Sequence, residues 1–174
     1  LIKEALQSRT FDLRAVVVVA EDITDREIEA LHAAGFRGIR INTASATPGL
    51  KLAHAPKLAA RIKHLGWHLQ FFVNLRDMPQ MAEELARVPG TIVIDHFARI
   101  ATADGPDAPP YQALLRLLRH DNVWEKLMGP YFISDGFPHY PDIKPFARGM
   151  IAAAPDRVVW GSDWPHPSAR EKMP

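Results

Sequence analysis

Short apolar segments alternate with helical segments along the chain, and this alternation is the feature that most constrains its fold. The apolar segments are rich in valine and isoleucine and are punctuated by glycine and proline, which is typical of strands. We predict six strands, at residues 15–20, 36–42, 67–73, 91–95, 123–128 and 158–161. Strict alternation of strand and helix predicts a parallel sheet covered by helices.

The first apolar segment shows why buried strands are expected. Residues Val16–Val19 are four consecutive β-branched residues, whose stiff side chains pack better on a strand than on a helix. A strand that is apolar on both faces belongs in a buried, parallel sheet. A helix follows, because Thr24 and Glu27 have the spacing of a capping box.

Two parallel architectures accommodate this pattern. A doubly wound sheet is complete with six strands, whereas a (β/α)₈ barrel needs eight strands and about 250 residues. The chain has 174 residues, so its length favours the doubly wound sheet. The barrel is favoured by two other features: no predicted strand-to-helix turn carries a glycine-rich phosphate loop, and chemically active residues are spread over many strands.

Composition excludes several classes of partner. The chain has 21 basic and 20 acidic residues and a formal net charge of +1, which does not predict binding to nucleic acid or to an anionic membrane. It contains no cysteine, so disulfides and thiolate chemistry are excluded. With no apolar run near the length of a membrane span, we expect a cytoplasmic protein.

Polar or charged side chains stand near the end of each predicted strand. These residues are Glu21, Arg40, Asn42, Asn74, Asp95, His96, Lys126 and Asp163. An unpaired charge is costly to bury, so such groups need partners or a function. The carboxyl ends of barrel strands meet at one mouth, where active sites lie. We therefore predict a shared pocket at this edge of the sheet.

Three of these residues have the chemistry of an active site. Asp163 is the candidate general base that takes a proton from water, with a helix N-cap as its alternative role. His96 lies nearer the mouth than Asp95, which should point the other way towards the helices. The imidazole is suited to polarising a carbonyl or binding a metal, or it is a hydrogen-bonded core residue. Arg40 offers a planar fork for a carboxylate or for a buried ion pair.

Further candidates for substrate binding lie on the same edge. Arg99 and Lys126 are candidate cations for the substrate, although each also fits a structural role. Trp164 and His166 belong to a turn that two prolines stiffen, which suits an aromatic wall and an imidazole beside a site. A long loop at 129–142 carries aromatic residues that predict an apolar pocket wall. These aromatic and imidazole residues are Tyr131, Phe132, Phe137, His139 and Tyr140.

Four segments together resemble the amidohydrolase-related TIM-barrel hydrolases, and the closest subgroup is similar to 2-pyrone-4,6-dicarboxylate lactonase. The specific segment is the closing strand RVVWGSDWPHP at 157–167, and the others support it by their order. The supporting segments are GIRIN at 38–42, IDHFAR at 94–99 and WEKLMG at 124–129. The resemblance implies a (β/α)₈ barrel and a hydrolase.

The resemblance also implies roles for individual residues. Asp163 matches the aspartate that activates water, and His96 matches a histidine near the substrate carbonyl. Arg40 and Arg99 match positions that bind substrate carboxylates. Metal use differs within the superfamily, so either no cofactor or one divalent metal such as zinc or manganese is implied.

One feature departs from the family pattern. The H-x-H motif of the family's first strand does not occur in this sequence. The six predicted strands therefore match strands 3–8, and we expect a single domain over 1–174 that forms the C-terminal three-quarters of the barrel. The open strand edges would allow pairing with another chain, so a homo-oligomer is the corresponding expectation.

The resulting prediction is a hydrolase of a small carboxylated lactone or related cyclic ester. Two alternatives stay open. One is a metal-dependent decarboxylase of an aromatic acid, in which Asp163 and His96 bind the metal. The other is a non-catalytic binding module, because a fold does not determine a function.

Overall fold

All six predicted strands are present in the computed structural model, which describes residues 2–7, 11–44, 50–166, 169 and 171. They form one parallel sheet in the order β1-β2-β3-β4-β5-β6. The strands are β1 (Ala15–Val17), β2 (Phe36–Asn42), β3 (His68–Phe72), β4 (Ile92–Asp95), β5 (Val123–Leu127) and β6 (Val158–Trp160).

Six α-helices occur among the described residues, five of which connect successive strands as expected. They are α1 (Ile2–Gln7), α2 (Asp25–Ala33), α3 (Ala55–Ile62), α4 (Met81–Leu85), α5 (Pro109–Leu117) and α6 (Lys144–Ala153). The sequence analysis did not predict α1. No helix in the described ranges is both long enough and apolar enough to cross a membrane.

The strand order distinguishes between the two architectures. In a doubly wound sheet the order reverses at a switch point, where the ligand binds. Here each strand lies beside the strand that follows it in the chain, without a reversal. This is the order of a (β/α) barrel, in which parallel strands place their carboxyl ends on one edge.

Local interactions explain where the elements begin and end. The predicted capping box starts α2: the Thr24 N–H donates to Glu27 Oε2 at 2.7 Å, and the Glu27 N–H donates to Thr24 Oγ1 at 3.2 Å. The strand prediction at 15–20 was too long. Pairing of β1 with β2 ends at Val17, which lies opposite Ile39, and Val18 is 65% exposed.

Close contacts divide the chain into two compact units. The first comprises residues 1–71 and 88–92, and the second comprises residues 72–87 and 93–174. Fully buried side chains of the first unit include Ile28, Ile39, Ile41, Ile62 and Leu69. Those of the second unit include Leu75, Leu85, Ile94, Leu114 and Met150. Most of the predicted site residues belong to the second unit.

Candidate active site

The two predicted catalytic residues meet in the second unit. His96 directly follows β4, and Asp163 lies shortly after the end of β6. The distance from His96 Nε2 to Asp163 Oδ1 is 3.8 Å, and the two side chains are only 5% and 16% exposed. The ends of two strands therefore place an imidazole and a carboxylate side by side at the edge predicted for the pocket.

A left-handed turn presents the His96 side chain. The four residues His96–Arg99 all have positive φ, between 51° and 56°. This conformation costs about 1–2 kcal/mol for each non-glycine residue, so the surrounding structure must hold it. Buried neighbours do so: Phe97 is 4% exposed, Ala98 is fully buried, and the Leu75 N–H donates to the Ala98 carbonyl at 2.9 Å.

The turn after β6 positions Asp163 in the same way. Asp163 and His166 have φ values of 60° and 55°, and the His166 N–H donates to the Asp163 carbonyl at 2.7 Å. The Trp164–Pro165 peptide bond between them is cis. A turn lies at this position, as the sequence predicted; of the two prolines expected to stiffen it, Pro167 lies outside the described residues. The N-cap alternative for Asp163 concerned the segment after Pro167, most of which lies outside the described residues.

Tyr131 contacts both ends of this turn, and the sequence analysis assigned it only to a pocket wall. Its hydroxyl donates a hydrogen bond to Asp163 Oδ2 and lies 3.3 Å from His166 Nδ1. Burial raises the pKa of Tyr131, and the hydrogen bond to Asp163 raises it further. Tyr131 follows the WEKLMG segment at 124–129, and this position was the sequence feature that could have indicated it as a site residue. A tyrosine in a loop does not by itself reveal its hydrogen-bond partner.

Two phenylalanine rings enclose the imidazole and a cation. The ring of His96 lies 4.9 Å from that of Phe72 and 4.8 Å from that of Phe132, both edge-on. The Arg99 guanidinium lies over the same two rings, 5.6 and 5.3 Å from their centroids. No carboxylate of the described residues forms an ion pair with Arg99. The faces of the two rings therefore stabilise the positive charge of Arg99, and its N–H groups stay available to donate hydrogen bonds to an anion.

Gly129 lets the loop after β5 approach His96 and Asp163. Its φ is +61°, and a Cβ atom there would lie 2.7 Å from His96 Nδ1 and 3.1 Å from Asp163 Oδ2. Only glycine fits this position without a clash, so the Gly129 backbone forms one wall of the site.

Lys126 lies in an ion pair with a residue of the neighbouring strand. Its Nζ is 3.2 Å from Oδ1 of Asp95, which is almost completely buried. We expected Asp95 to point towards the helices, but its carboxylate meets Lys126 of β5. The adjacent Glu125 is fully buried, and the sequence analysis did not single it out. Burial and then the Asp95 charge raise the pKa of Glu125 well above its usual range, although Lys126 opposes this increase.

The remaining predicted residues are placed as follows. Arg40 lies in β2, in the first unit, two residues before the end of the strand. Trp164 is 79% exposed, whereas His166 is 9% exposed beside Tyr131. Among the described residues, no group of three or more histidine or carboxylate side chains is arranged to hold a metal ion.

The fold and the site together define an α/β protein of the barrel type, with an imidazole and a carboxylate side by side at its strand ends. The chain belongs to the amidohydrolase family, whose model matches residues 3–174.

Two relatives carry names of lactone or pyrone hydrolases, and a solved structure shares the fold of this chain. The chain is 35% identical to the 2-pyrone-4,6-dicarboxylate hydrolase of Comamonas testosteroni, over 98% of this chain and 59% of the relative. It is 32% identical to the 4-sulfomuconolactone hydrolase of Hydrogenophaga intermedia, over 87% of this chain and 51% of the relative. A crystal structure from Pseudomonas putida, assigned as a 2-pyrone-4,6-dicarboxylic acid hydrolase, has 31% identity and a TM-score of 0.79 over 97% of this chain and 63% of that one. The chain thus spans less than two-thirds of their length.

Proposed function

We propose that this chain belongs to a hydrolase that opens a small carboxylated lactone, with Asp163 as the base that activates water. The observation that carries the proposal is the buried pair of His96 Nε2 and Asp163 Oδ1, 3.8 Å apart. The names of two relatives support the substrate class, because both describe lactone or pyrone rings that bear acidic groups.

The reaction follows from the chemistry of these two groups. Asp163 takes a proton from water while the water oxygen attacks the ring carbonyl, forming a tetrahedral oxyanion. His96 donates a hydrogen bond to that oxyanion and stabilises its developing charge. The intermediate then breaks the ring C–O bond, and the proton held by Asp163 passes to the departing oxygen. One water is consumed, and a hydroxy acid or its keto tautomer is released.

The acidic substituents of the substrate need cationic partners. Arg99 is suited to this role because it is half-buried, stacked between two rings and without a carboxylate partner among the described residues. Arg40, two residues before the end of β2, is proposed as a second carboxylate ligand. Lys126, Trp164 and His166 stay as predictions for the substrate site.

We further propose that the six strands are strands 3–8 of a (β/α)₈ barrel. Their sequential order supports this numbering, and so does the match to only part of each relative. A cytoplasmic location and a homo-oligomer stay as predictions.

Replacing Asp163 by Asn tests the proposed role of the carboxylate. The assay follows ring opening of 2-pyrone-4,6-dicarboxylate and 4-sulfomuconolactone by loss of ring absorbance. We expect kcat to fall about 10²–10⁴-fold, since this is the usual contribution of a general base, while substrate binding persists. Asp107→Asn, which removes an exposed carboxylate, is the matched control and should keep wild-type kcat.

Two outcomes would contradict the proposal. Wild-type turnover in the Asp163→Asn protein would remove Asp163 from the mechanism. Loss of activity after exhaustive chelation, with recovery on adding zinc or manganese, would favour the metal-dependent alternative instead.

A further inference from the structure

The two carboxylate oxygens of Asp163 face different partners. Oδ1 lies 3.8 Å from His96 Nε2, a distance too long for a direct hydrogen bond. Oδ2 accepts a hydrogen bond from the Tyr131 hydroxyl. Oδ2 is thus occupied by a hydrogen bond from the protein, and Oδ1 faces the imidazole of His96.

Tyr131 is a donor that keeps its proton. Burial raises the pKa of its phenol, so the hydroxyl keeps its proton at neutral pH. The phenol has only one proton, and it goes to Asp163. His166 Nδ1, 3.3 Å from the Tyr131 oxygen, therefore faces an acceptor and is placed to donate its N–H to it. Tyr131 links the two ends of the turn at 163–166.

Hydrogen bonds to neighbouring segments hold the loop that carries Tyr131 in place. The Thr102 N–H donates to the Ile133 carbonyl at 2.8 Å. The Asp142 carboxylate accepts hydrogen bonds from the hydroxyls of Ser134 and Thr102. These hydrogen bonds lower the pKa of Asp142 despite the opposing effect of burial, so the carboxylate stays ionised as their acceptor. The Tyr131 ring also packs 5.1 Å from that of Phe132, which contacts His96. The phenol is thus held in one place before any substrate binds.

We propose that Tyr131 is a positioning residue: by occupying Oδ2 of Asp163, it leaves Oδ1 as the oxygen that takes the proton from water next to His96. The inference rests on the proposed function, because it specifies which oxygen of Asp163 receives the proton from water in that reaction. A hydrogen bond to a charged acceptor contributes more than one between neutral groups, and supporting partners of reactive groups usually matter for turnover. The oxygen that receives the proton is thereby set by the loop after β5.

Kinetics of the Tyr131→Phe protein test this role. The substitution removes one oxygen atom and keeps the ring that packs on Phe132. We expect kcat to fall about 10- to 100-fold while KM changes less than about threefold, because Tyr131 acts on the base rather than on the substrate. Tyr111→Phe is the matched control, since the Tyr111 hydroxyl donates to the Phe146 carbonyl at 2.9 Å, away from the catalytic pair.

A spectroscopic signature tests the contact without turnover. A phenol that donates to a carboxylate gives a downfield proton resonance in NMR spectra. We expect this resonance in the wild-type and Tyr111→Phe proteins and its loss in Tyr131→Phe. It should also disappear in Asp163→Asn, which removes the charged acceptor but keeps the phenol, and so provides a second variant if Tyr131→Phe folds poorly.

The outcomes separate the two proposals. An active wild-type protein whose Tyr131→Phe variant keeps full kcat, or whose downfield resonance survives in Asp163→Asn, would overturn this inference alone. A folded wild-type protein that opens no carboxylated lactone would overturn the proposed function and this inference with it.

Discussion

At the scale of single residues, Gly129 determines how closely the loop after β5 approaches His96 and Asp163. A Cβ atom at this position would lie 2.7 Å from His96 Nδ1, which is below any normal contact distance. The Gly129→Ala variant should therefore displace the imidazole or the loop, and we expect kcat to fall at least about tenfold, because small displacements of reacting groups are costly. Steady-state kinetics with the lactone substrates measure this change.

The matched control for this substitution is Gly66→Ala. Gly66 is also in the left-handed conformation, with φ +66° and ψ 24°, but its Cβ atom would meet nothing within 4 Å. Both variants should lose about 1–2 kcal/mol of unfolding free energy from the left-handed conformation, as measured by urea titration. Only Gly129→Ala should lose activity. Equal activity in the two variants would show that the site tolerates a methyl group beside His96.

Residue identities allowed the proximity of His96 and Asp163 to be predicted, whereas other side-chain partners did not follow from them. The strand-end positions of His96 and Asp163 predicted that they meet, and the structure places them together. The alternation rule for strands did not apply at His96, because the chain leaves β4 there in a left-handed turn of four non-glycine residues. Nothing in the composition of that turn indicates positive φ. The Tyr131 contact was missed for a similar reason, since it depends on how a long loop folds back.

At the scale of elements, β5 carries a buried acid that the proposed reaction does not use. Glu125 is fully buried, and burial raises its pKa well above the ordinary value of 4.5. Below that ordinary value both folded and unfolded chains hold the proton. As the pH rises, the unfolded chain releases its proton first, so the folded state loses about 1.4 kcal/mol per pH unit until the raised pKa is reached.

The Glu125→Gln variant removes this pH dependence. Its unfolding free energy should approach or exceed that of the wild type with increasing pH, and the gain should grow by about 1.4 kcal/mol per pH unit from the ordinary carboxyl pKa up to the raised pKa of Glu125. Urea titrations at several pH values measure the difference. Glu83→Gln, at an exposed position of α4, is the control and should show no such growth. Parallel stability curves for the wild type and Glu125→Gln would contradict a protonated buried Glu125.

At the scale of the whole molecule, the nearly balanced charge means that the proposed anionic substrates would have to be recognised by local contacts. The formal net charge is +1, from 21 basic and 20 acidic residues, so no strong long-range field draws a dianion towards the protein. Affinity for the acidic substituents then depends on individual guanidinium groups. Among the described residues, Arg99 is a cation that lies beside the imidazole of His96, because both pack on the rings of Phe72 and Phe132.

Replacing Arg99 by Gln tests local recognition against overall charge. A lost charge-assisted hydrogen bond of about 1.5–3 kcal/mol should raise KM for the dicarboxylate about 10- to 100-fold, with a smaller effect on kcat. Arg119→Gln changes the net charge equally at an exposed position, so its KM should stay within about twofold of the wild type. If both variants raise KM to the same extent, the overall charge governs binding. If neither does, Arg99 does not contact the substrate, and the carboxylate ligand must be sought elsewhere, beginning with Arg40.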